Sequence, residues 1–344
     1  MRSSLHRPAA FGLALASAAA LAAGCSTGKS SSSHAGQSGV PAKKTGAITI
    51  AYLQKQGDQQ YFVDEANGAK REAAKLGNVK VNVVNLGTDS NKAIGAVSTE
   101  VGQHVDGLVI VVPDQKIGPQ VIDAAAGAKI PIVASDDPIK GGNGKSAAFV
   151  GFDSLQMGMS VGRKAGELFK KAGWSASNTK VLAAYQQGLS DCQQRQQGEE
   201  RGFKAAAGAA LPIVKLGTDN SVVDAQNKAG AALTANPGVK HWVVWGCNDE
   251  SETGVVTALQ NAHFAPSNIV GVGLGAYLTC KDWKAGVQSG NKAALYIGGA
   301  DVGSAAVRVL VAQLRSGTAL PPKTIAKTTM VDAKTWKPVM SSCS

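Results

Sequence analysis

The chain has 344 residues, 44% hydrophobic and 17% charged, with a formal net charge of +11. That apolar fraction is enough to bury a substantial core and excludes a disordered chain, and the length leaves room for two domains behind a leader. The basic residues are spread along the chain as singles and isolated pairs such as Lys43-Lys44, with no longer run, which argues against a nucleic-acid-binding stripe and reads as solubility or attraction to an anionic envelope.

In chain order, Arg2 and Arg7 flank the start of an apolar run over 9–23, which ends in Leu21-Ala22-Ala23-Gly24-Cys25. A positive start, a short apolar stretch and small residues at a cleavage point make residues 1–24 a secretory signal peptide. The run is too short for a comfortable bilayer span, which needs about 20 residues. A cysteine directly after the small residues predicts a bacterial lipoprotein, cut before Cys25 and carrying a diacylglyceryl group on its thiol. The leucine sits four residues before the cysteine, where three is commoner. Residues 26–45 read STGKSSSSHAGQSGVPAKKT, so 25–45 is expected to be a lipidated cysteine and a flexible tether. The expected location is the outer face of the cell membrane, reached through the lipid anchor alone.

From residue 47, short β-branched runs alternate with alanine-rich stretches. The runs lie at 48–53, 79–84, 107–112 and 130–134. The stretches between them, such as 62–76 and 92–103, carry apolar residues at helical period. The pattern restarts with strands at 181–185, 213–216, 242–245 and 269–272, and a helix near 199–209. Alternation of this kind predicts parallel strands with right-handed crossovers. The segment Val84-Asn85-Leu86-Gly87-Thr88-Asp89-Ser90 is echoed 130 residues later by Val214-Lys215-Leu216-Gly217-Thr218-Asp219-Asn220, each at the end of the second strand of its half. The expected fold is α/β, with two similar doubly wound parallel-sheet domains joined by a hinge.

Open parallel sheets bind ligands at the carboxyl ends of their strands. Lys55, Asp114 and the pair Asp136-Asp137 follow strands of the first half; Asp191, Arg195 and Cys247-Asn248-Asp249 follow strands of the second. Together with Gln59, these carboxylates, cations and amides can saturate a ring of hydroxyl groups with charge-assisted bonds. Tyr61 and Phe62 can lie against the C–H face of a pyranose, and Phe152 and Trp245 are candidates for further apolar wall. Each has a plainer reading: Asp-Asp-Pro as a turn, Asp249 as a helix cap, Lys55 and Arg195 as solvated charges, Trp245 as core, Tyr61-Phe62 as a staple. Their gathering at one sheet edge favours a binding cleft. No nucleophile elbow, metal motif or Walker loop occurs, and Gly271-Val-Gly273-Leu-Gly275 lacks the helix-opening glycine of a dinucleotide site. Neither an enzyme, a metal nor a cofactor is expected. His104, His241 and His263 fall in separate segments and read as structural. With Cys25 lipidated, Cys192, Cys247, Cys280 and Cys343 remain, and three disulfide connectivities are open.

Four segments carry a resemblance: His241-Trp-Val-Val-Trp-Gly-Cys-Asn-Asp249; Asp136-Asp137 after Ile132-Val-Ala; Val-Pro-Asp114 with Lys116-Ile-Gly118; and Lys55-Gln56 followed by Tyr61-Phe62. Over residues 47 to about 340 the chain resembles the type I periplasmic sugar-binding proteins of ATP-driven (ABC) importers, and among them the L-arabinose-binding members. The resemblance implies lobes built from 46–150 plus about 296–318 and from 151–295 plus about 319–344. It implies a monomer that closes on a monosaccharide and delivers it to an ABC permease, with no nucleic-acid partner. Lys55 and Asp137 would bond hydroxyls near the anomeric carbon, Arg195 ring or hydroxyl oxygens, and Asn248 hydroxyls from the second lobe, with Asp136 bracing the site. Tyr61 stands where the family has a stacking tryptophan, and Phe62 matches its neighbouring phenylalanine. Departures put arabinose itself in doubt: Gln59 stands for a glutamate, Asp191 for a threonine, Cys247 for a methionine and Gly275 for an asparagine. In this topology the implied disulfides are Cys192–Cys247 and Cys280–Cys343. A sensory module presenting a ligand to a membrane receptor would use the same lobes, whereas a repressor's effector domain is disfavoured by the export signal.

Overall fold

The computed structural model describes residues 43–340 and Cys343. The expected signal peptide, the expected lipidation site Cys25 and the expected tether before Lys43 lie outside the described residues. The chain then runs β1 (Ile48–Gln54), α1 (Gln60–Leu76), β2 (Val79–Asn85), α2 (Ser90–Gly102), β3 (Gly107–Ile110), α3 (Gly118–Gly127), β4 (Ile132–Ser135) and β5 (Ala148–Gly151). It continues through α4 (Ser154–Ala172), β6 (Thr179–Tyr185), α5 (Ser190–Ala207), β7 (Ile213–Gly217), α6 (Val222–Thr234), β8 (His241–Gly246), α7 (Asp249–Asn261) and β9 (Ile269–Gly275). The last elements are α8 (Thr279–Ala285), β10 (Asn291–Ile297), α9 (Gly299–Ser316), β11 (Lys323–Ile325) and β12 (Thr328–Val331).

The strands form two six-stranded sheets, ordered β2-β1-β3-β4-β5-β11 and β7-β6-β8-β9-β10-β12. The order is the same in both, so the halves are repeats of one doubly wound unit. All ladders are parallel except β10 with β12. Central strands such as ITIAYLQ in β1 and IVGVGLG in β9 are buried almost throughout, as continuous apolar runs must be when helices cover both faces. The echoed segment closes β2 and β7 as expected: Asp89 caps α2, while Asp219 accepts from the Ser221 N–H and Ser221 caps α6.

Two helix pairs meet backbone to backbone. A Cβ on Gly158 or Gly162 of α4 would lie 1.9 or 2.0 Å from the carbonyl oxygen of Arg195 or Glu199 in α5. A Cβ on Gly68 of α1 would lie 2.1 Å from the Ala300 carbonyl oxygen of α9, and one on Gly303 of α9 would lie 1.9 Å from that of Glu65 in α1. Only glycine permits such approach. The packing holds α5, and with it Asp191 and Arg195, in a fixed place.

Three readings need correction. The helix expected near 199–209 begins at Ser190 and ends at Ala207. Its buried face carries Asp191, Cys192, Arg195, Gln196, Gly198, Glu199, Gly202 and Phe203, so helical periodicity is present but is carried by polar residues and glycine. The segment 319–344 does not belong wholly to the second lobe: Lys323 to Ile325 pair with Phe149 to Gly151 and complete the first sheet, satisfying the open edge of β5, while β12 joins the second sheet. The last residues of the expected tether are docked: the Lys44 N–H donates to the Leu314 carbonyl (2.8 Å), and its ammonium pairs with Asp106.

Candidate functional site

The carboxyl ends of the two sheets face one another across a cleft of about 600 Å3, part of it continuous with solvent. Lys55, Gln59, Tyr61, Phe62, Asp136, Asp137, Asp191, Arg195 and Asn248 all line it. The lobes touch at its rim, where the Ser190 N–H donates to Gln115 Oε1 (3.0 Å). Tyr61 also meets Tyr277 of the opposite lobe edge to face, with ring centroids 6.0 Å apart.

From the first lobe, Lys55 Nζ donates to Asp137 Oδ2 at 2.6 Å, both side chains being almost wholly buried. The ammonium also lies 5.8 Å from the Phe62 ring centroid, a cation–π placement. Asp136, in the left-handed region at φ 63°, accepts from the Tyr61 hydroxyl at 3.0 Å. Burial first, and then the neighbouring Asp137, raise the pKa of Asp136. Beneath them Glu65 accepts from the Ser135 hydroxyl, and burial and Asp136 push its carboxyl up to about 8.

From the second lobe, the first turns of α5 present Asp191 and Arg195. Asp191 Oδ1 accepts from Ser154 Oγ (3.0 Å), and Arg195 Nη1 donates to the Cys247 carbonyl (2.9 Å). Asp191 Oδ2 and Arg195 Nε are buried without a partner. A buried polar atom left unpaired is costly, and among such atoms these two belong to side chains that line the cleft. Burial and then Asp137 push the Asp191 carboxyl up to about 7, with Arg195 opposing.

Asn248 lines the cleft but is largely committed elsewhere. Its Oδ1 caps α7 by accepting from the Ser251 N–H (3.1 Å), and its amide donates to the Asn220 carbonyl (2.9 Å) and Glu250 Oε2 (2.6 Å). The cap is therefore Asn248, not Asp249. Asp249, the first residue of α7, accepts from the Leu278 N–H and from Thr279 Oγ1 (2.8 Å), because the turn after β9 must satisfy its backbone donors without water. Gly275 stands at φ 137°, and a Cβ there would lie 2.9 Å from Asp249 Cβ. An asparagine at 275 is therefore excluded by both backbone and neighbour.

Disulfides join Cys192 to Cys247 and Cys280 to Cys343. The first closes one wall of the cleft, tying the start of α5 to the end of β8; the second ties the C-terminus to α8 beside Trp336 and Met340.

Phe152 does not line the cleft. It is packed into the core and borders a separate pocket with Pro138, Ser154 and Lys323. Trp245 is likewise core, 5.6 Å from Phe203 between ring centroids. A strand end locates a residue but not the side to which its side chain turns. Asp114 caps the short turn that follows it and does not line the cleft. Tyr277, Asn220 and Glu250 do line it and were not singled out. The repeated Leu-Gly-Thr-Asp segment, ending at Asn220, was a usable signal for that residue; Tyr277 follows two consecutive positive-φ residues, Gly275 and Ala276, and carried none.

The periplasmic binding protein domain profile matches residues 50–319. The L-arabinose-binding periplasmic protein of Escherichia coli (strain K12) is 26% identical over 232 residues, covering 66% of this chain and 70% of its own. The ABC transporter L-arabinose-binding periplasmic protein of Azospirillum brasilense is 24% identical over 304 residues, covering 87% and 90%. The fold is similar to that of an ABC transporter periplasmic solute-binding protein from Actinobacillus succinogenes 130z with bound D-allose. That likeness has a TM-score of 0.72 at 20% identity and covers 85% of this chain and 99% of that one. With the profile spanning most of the chain, including the strands β2 to β10 and the residues lining the cleft, this chain belongs to the periplasmic binding protein family.

Proposed function

We propose that this protein is a lipid-anchored, extracytoplasmic solute-binding protein that closes on a monosaccharide, a pentose, hexose or related polyol, and delivers it to an ABC permease. The observation that carries the reading is that Asp191 Oδ2 and Arg195 Nε are both buried and unsatisfied on side chains lining a cleft that Tyr61, Phe62 and Tyr277 also line. A hydroxylated ring satisfies both at once, since a hydroxyl donates and accepts, while Tyr61, Phe62 and Tyr277 offer surfaces to its C–H faces. The names of the curated relatives and the D-allose bound in the neighbouring structure support a sugar. Gly275 and Asp191 set this site apart from an arabinose site and favour a differently placed hydroxyl pattern. Hinge closure brings Gln115 against Ser190 and Tyr61 against Tyr277, contacts between lobes that couple ligand capture to the closed state. Cys25 carries the anchor and the tether sets the folded body off the membrane.

Titration of the purified protein with pentoses, hexoses and polyols, read by intrinsic fluorescence and calorimetry, tests the binding. Silence across the whole panel would end the sugar reading. Metabolic labelling with palmitate tests the anchor: the chain takes up label and Cys25→Ser does not. Equal labelling of both would remove Cys25 from the account.

A further inference from the structure

Five carboxyl groups line the cleft, on Asp136, Asp137, Asp191, Asp249 and Glu250, against two cationic side chains, Lys55 and Arg195. Internal partners account for most of them. Asp137 holds Lys55, Asp136 takes the Tyr61 hydroxyl, Asp249 takes backbone donors of the 276–279 turn, and Glu250 takes the Asn248 amide. Asp191 is different. It is 5% exposed, one of its oxygens takes only the neutral Ser154 hydroxyl, and the other takes nothing. The nearest cation, Arg195, directs Nη1 to the Cys247 carbonyl rather than to this carboxylate.

We propose that Asp191 is a specificity-determining residue that selects a ligand bearing a positively charged amino group on its polyhydroxylated ring, an amino sugar or an amino polyol. The inference rests on the carbohydrate reading above and names the ligand class for the same site. An ammonium at the free Asp191 oxygen supplies both the missing donor and the missing positive charge, and converts a neutral hydrogen bond into a charge-assisted one. The aromatic rings of Tyr61, Phe62 and Tyr277 provide faces that attract a cation. Arg195 Nε remains for a ring or hydroxyl oxygen of the same ligand.

The charged groups around Asp191 fix the expected pH dependence. Asp136 and Asp137 approach from the turn after β4, and Arg195 from its own helix. Lys55 is held by Asp137, and Lys323 lines the adjoining pocket that Asp191 also borders. With its carboxyl pushed up to about 7 by burial and by Asp137, Asp191 ionises near neutrality. A ligand cation favours the ionised form, so its binding strengthens from about pH 6 to about pH 7.5 with release of a proton, and weakens above that as the ligand's own amino group, titrating in the range of an α-amino group at about 7.7–8.0, loses its charge.

The test is calorimetric titration of the wild-type protein and Asp191→Asn with matched pairs: glucose and glucosamine, galactose and galactosamine, mannose and mannosamine. At about pH 7.5 one amino sugar is expected to bind roughly tenfold or more tightly than its neutral parent, the step that charge assistance brings. The advantage shrinks at about pH 6, and the ratio falls to about one in Asp191→Asn, whose fold is checked by thermal melting. Neutral parents binding as tightly as every amino counterpart would overturn this inference and leave the carbohydrate reading standing. An advantage that persists in Asp191→Asn would remove Asp191 from it. Failure of every neutral and amino sugar to bind would overturn both.

Discussion

The two disulfides offer a controlled comparison, because they are alike as crosslinks and unlike in what they border. Cys192–Cys247 closes a sequence separation of 55 residues and Cys280–Cys343 one of 63. On a chain-entropy account, each restricts the unfolded chain by about 4 kcal/mol. The double variants C192A/C247A and C280A/C343A should therefore lose similar stability in urea unfolding. Their effects on binding should differ. Arg195 Nη1 donates to the Cys247 carbonyl and lies 3.8 Å from its sulfur, Asn220 Nδ2 lies 3.6 Å from the Cys192 sulfur, and Asn248 follows Cys247 directly. Cys280 and Cys343 sit in a separate cluster with Trp336 and Met340. Freeing the β8 end misplaces one or two hydrogen bonds of about 1 kcal/mol each, which is about five- to thirtyfold in affinity. Calorimetry with the tightest monosaccharide from the panel reads this directly. Equal affinity losses in the two variants, or none in C192A/C247A, would show that this disulfide does not hold the site.

Three further outcomes are expected. Arg195→Ala and Asp137→Asn should each weaken monosaccharide binding at least about a hundredfold while the circular dichroism spectrum stays native, as removal of charged partners from a desolvated site requires; unchanged affinity in both would place the binding site elsewhere. Stability should fall as pH rises from about 4.5 to about 8, because the native protein keeps protons on Glu65 (about 8) and Asp191 (about 7) that the unfolded chain has already released. The expected slope is about 1.4 kcal/mol per pH unit for each group within its own window, and a urea midpoint that is flat or rises over that range would contradict the burial of these carboxyls. Gly162→Ala should destabilise the fold by about 1–3 kcal/mol and weaken binding with it, since the new methyl would collide with the Glu199 carbonyl at 2.0 Å and displace α5; a gain in stability, as helix propensity alone would give, would refute the close packing.

Strands β1 and β9 were readable because strands covered on both faces must be apolar throughout. The duplication was readable because the same Leu-Gly-Thr-Asp residues stand at the ends of β2 and β7 and lead into a helix in each half, although Asp89 caps α2 itself while Asp219 holds the Ser221 N–H and Ser221 caps α6. The first half of α5 was not, since a buried face of Asp191, Cys192, Arg195, Gln196 and Gly198 replaces the apolar stripe that periodicity detects. The pairing of β11 with β5 was hidden for a different reason: a three-residue edge strand has too little pattern to name its partner.

The plain and the functional readings of the polar residues at the strand tips turn out not to compete. Asn248 caps α7 and lines the cleft; Asp249 clamps a turn and lines it; Asp137 neutralises Lys55 and lines it. A cleft that opens to water and closes without it must satisfy its own donors and acceptors in both states, so structural bonds among cleft residues are a requirement of the site. Residue types and spacing therefore locate where polar groups converge. Counting bonds already made narrows which atoms remain for a ligand: among the fully buried side-chain atoms of the nine polar and aromatic positions, two are left without a partner, Asp191 Oδ2 and Arg195 Nε. On the proposal above, discrimination between one sugar and another rests on Asp191, the residue with a buried acceptor that no donor takes.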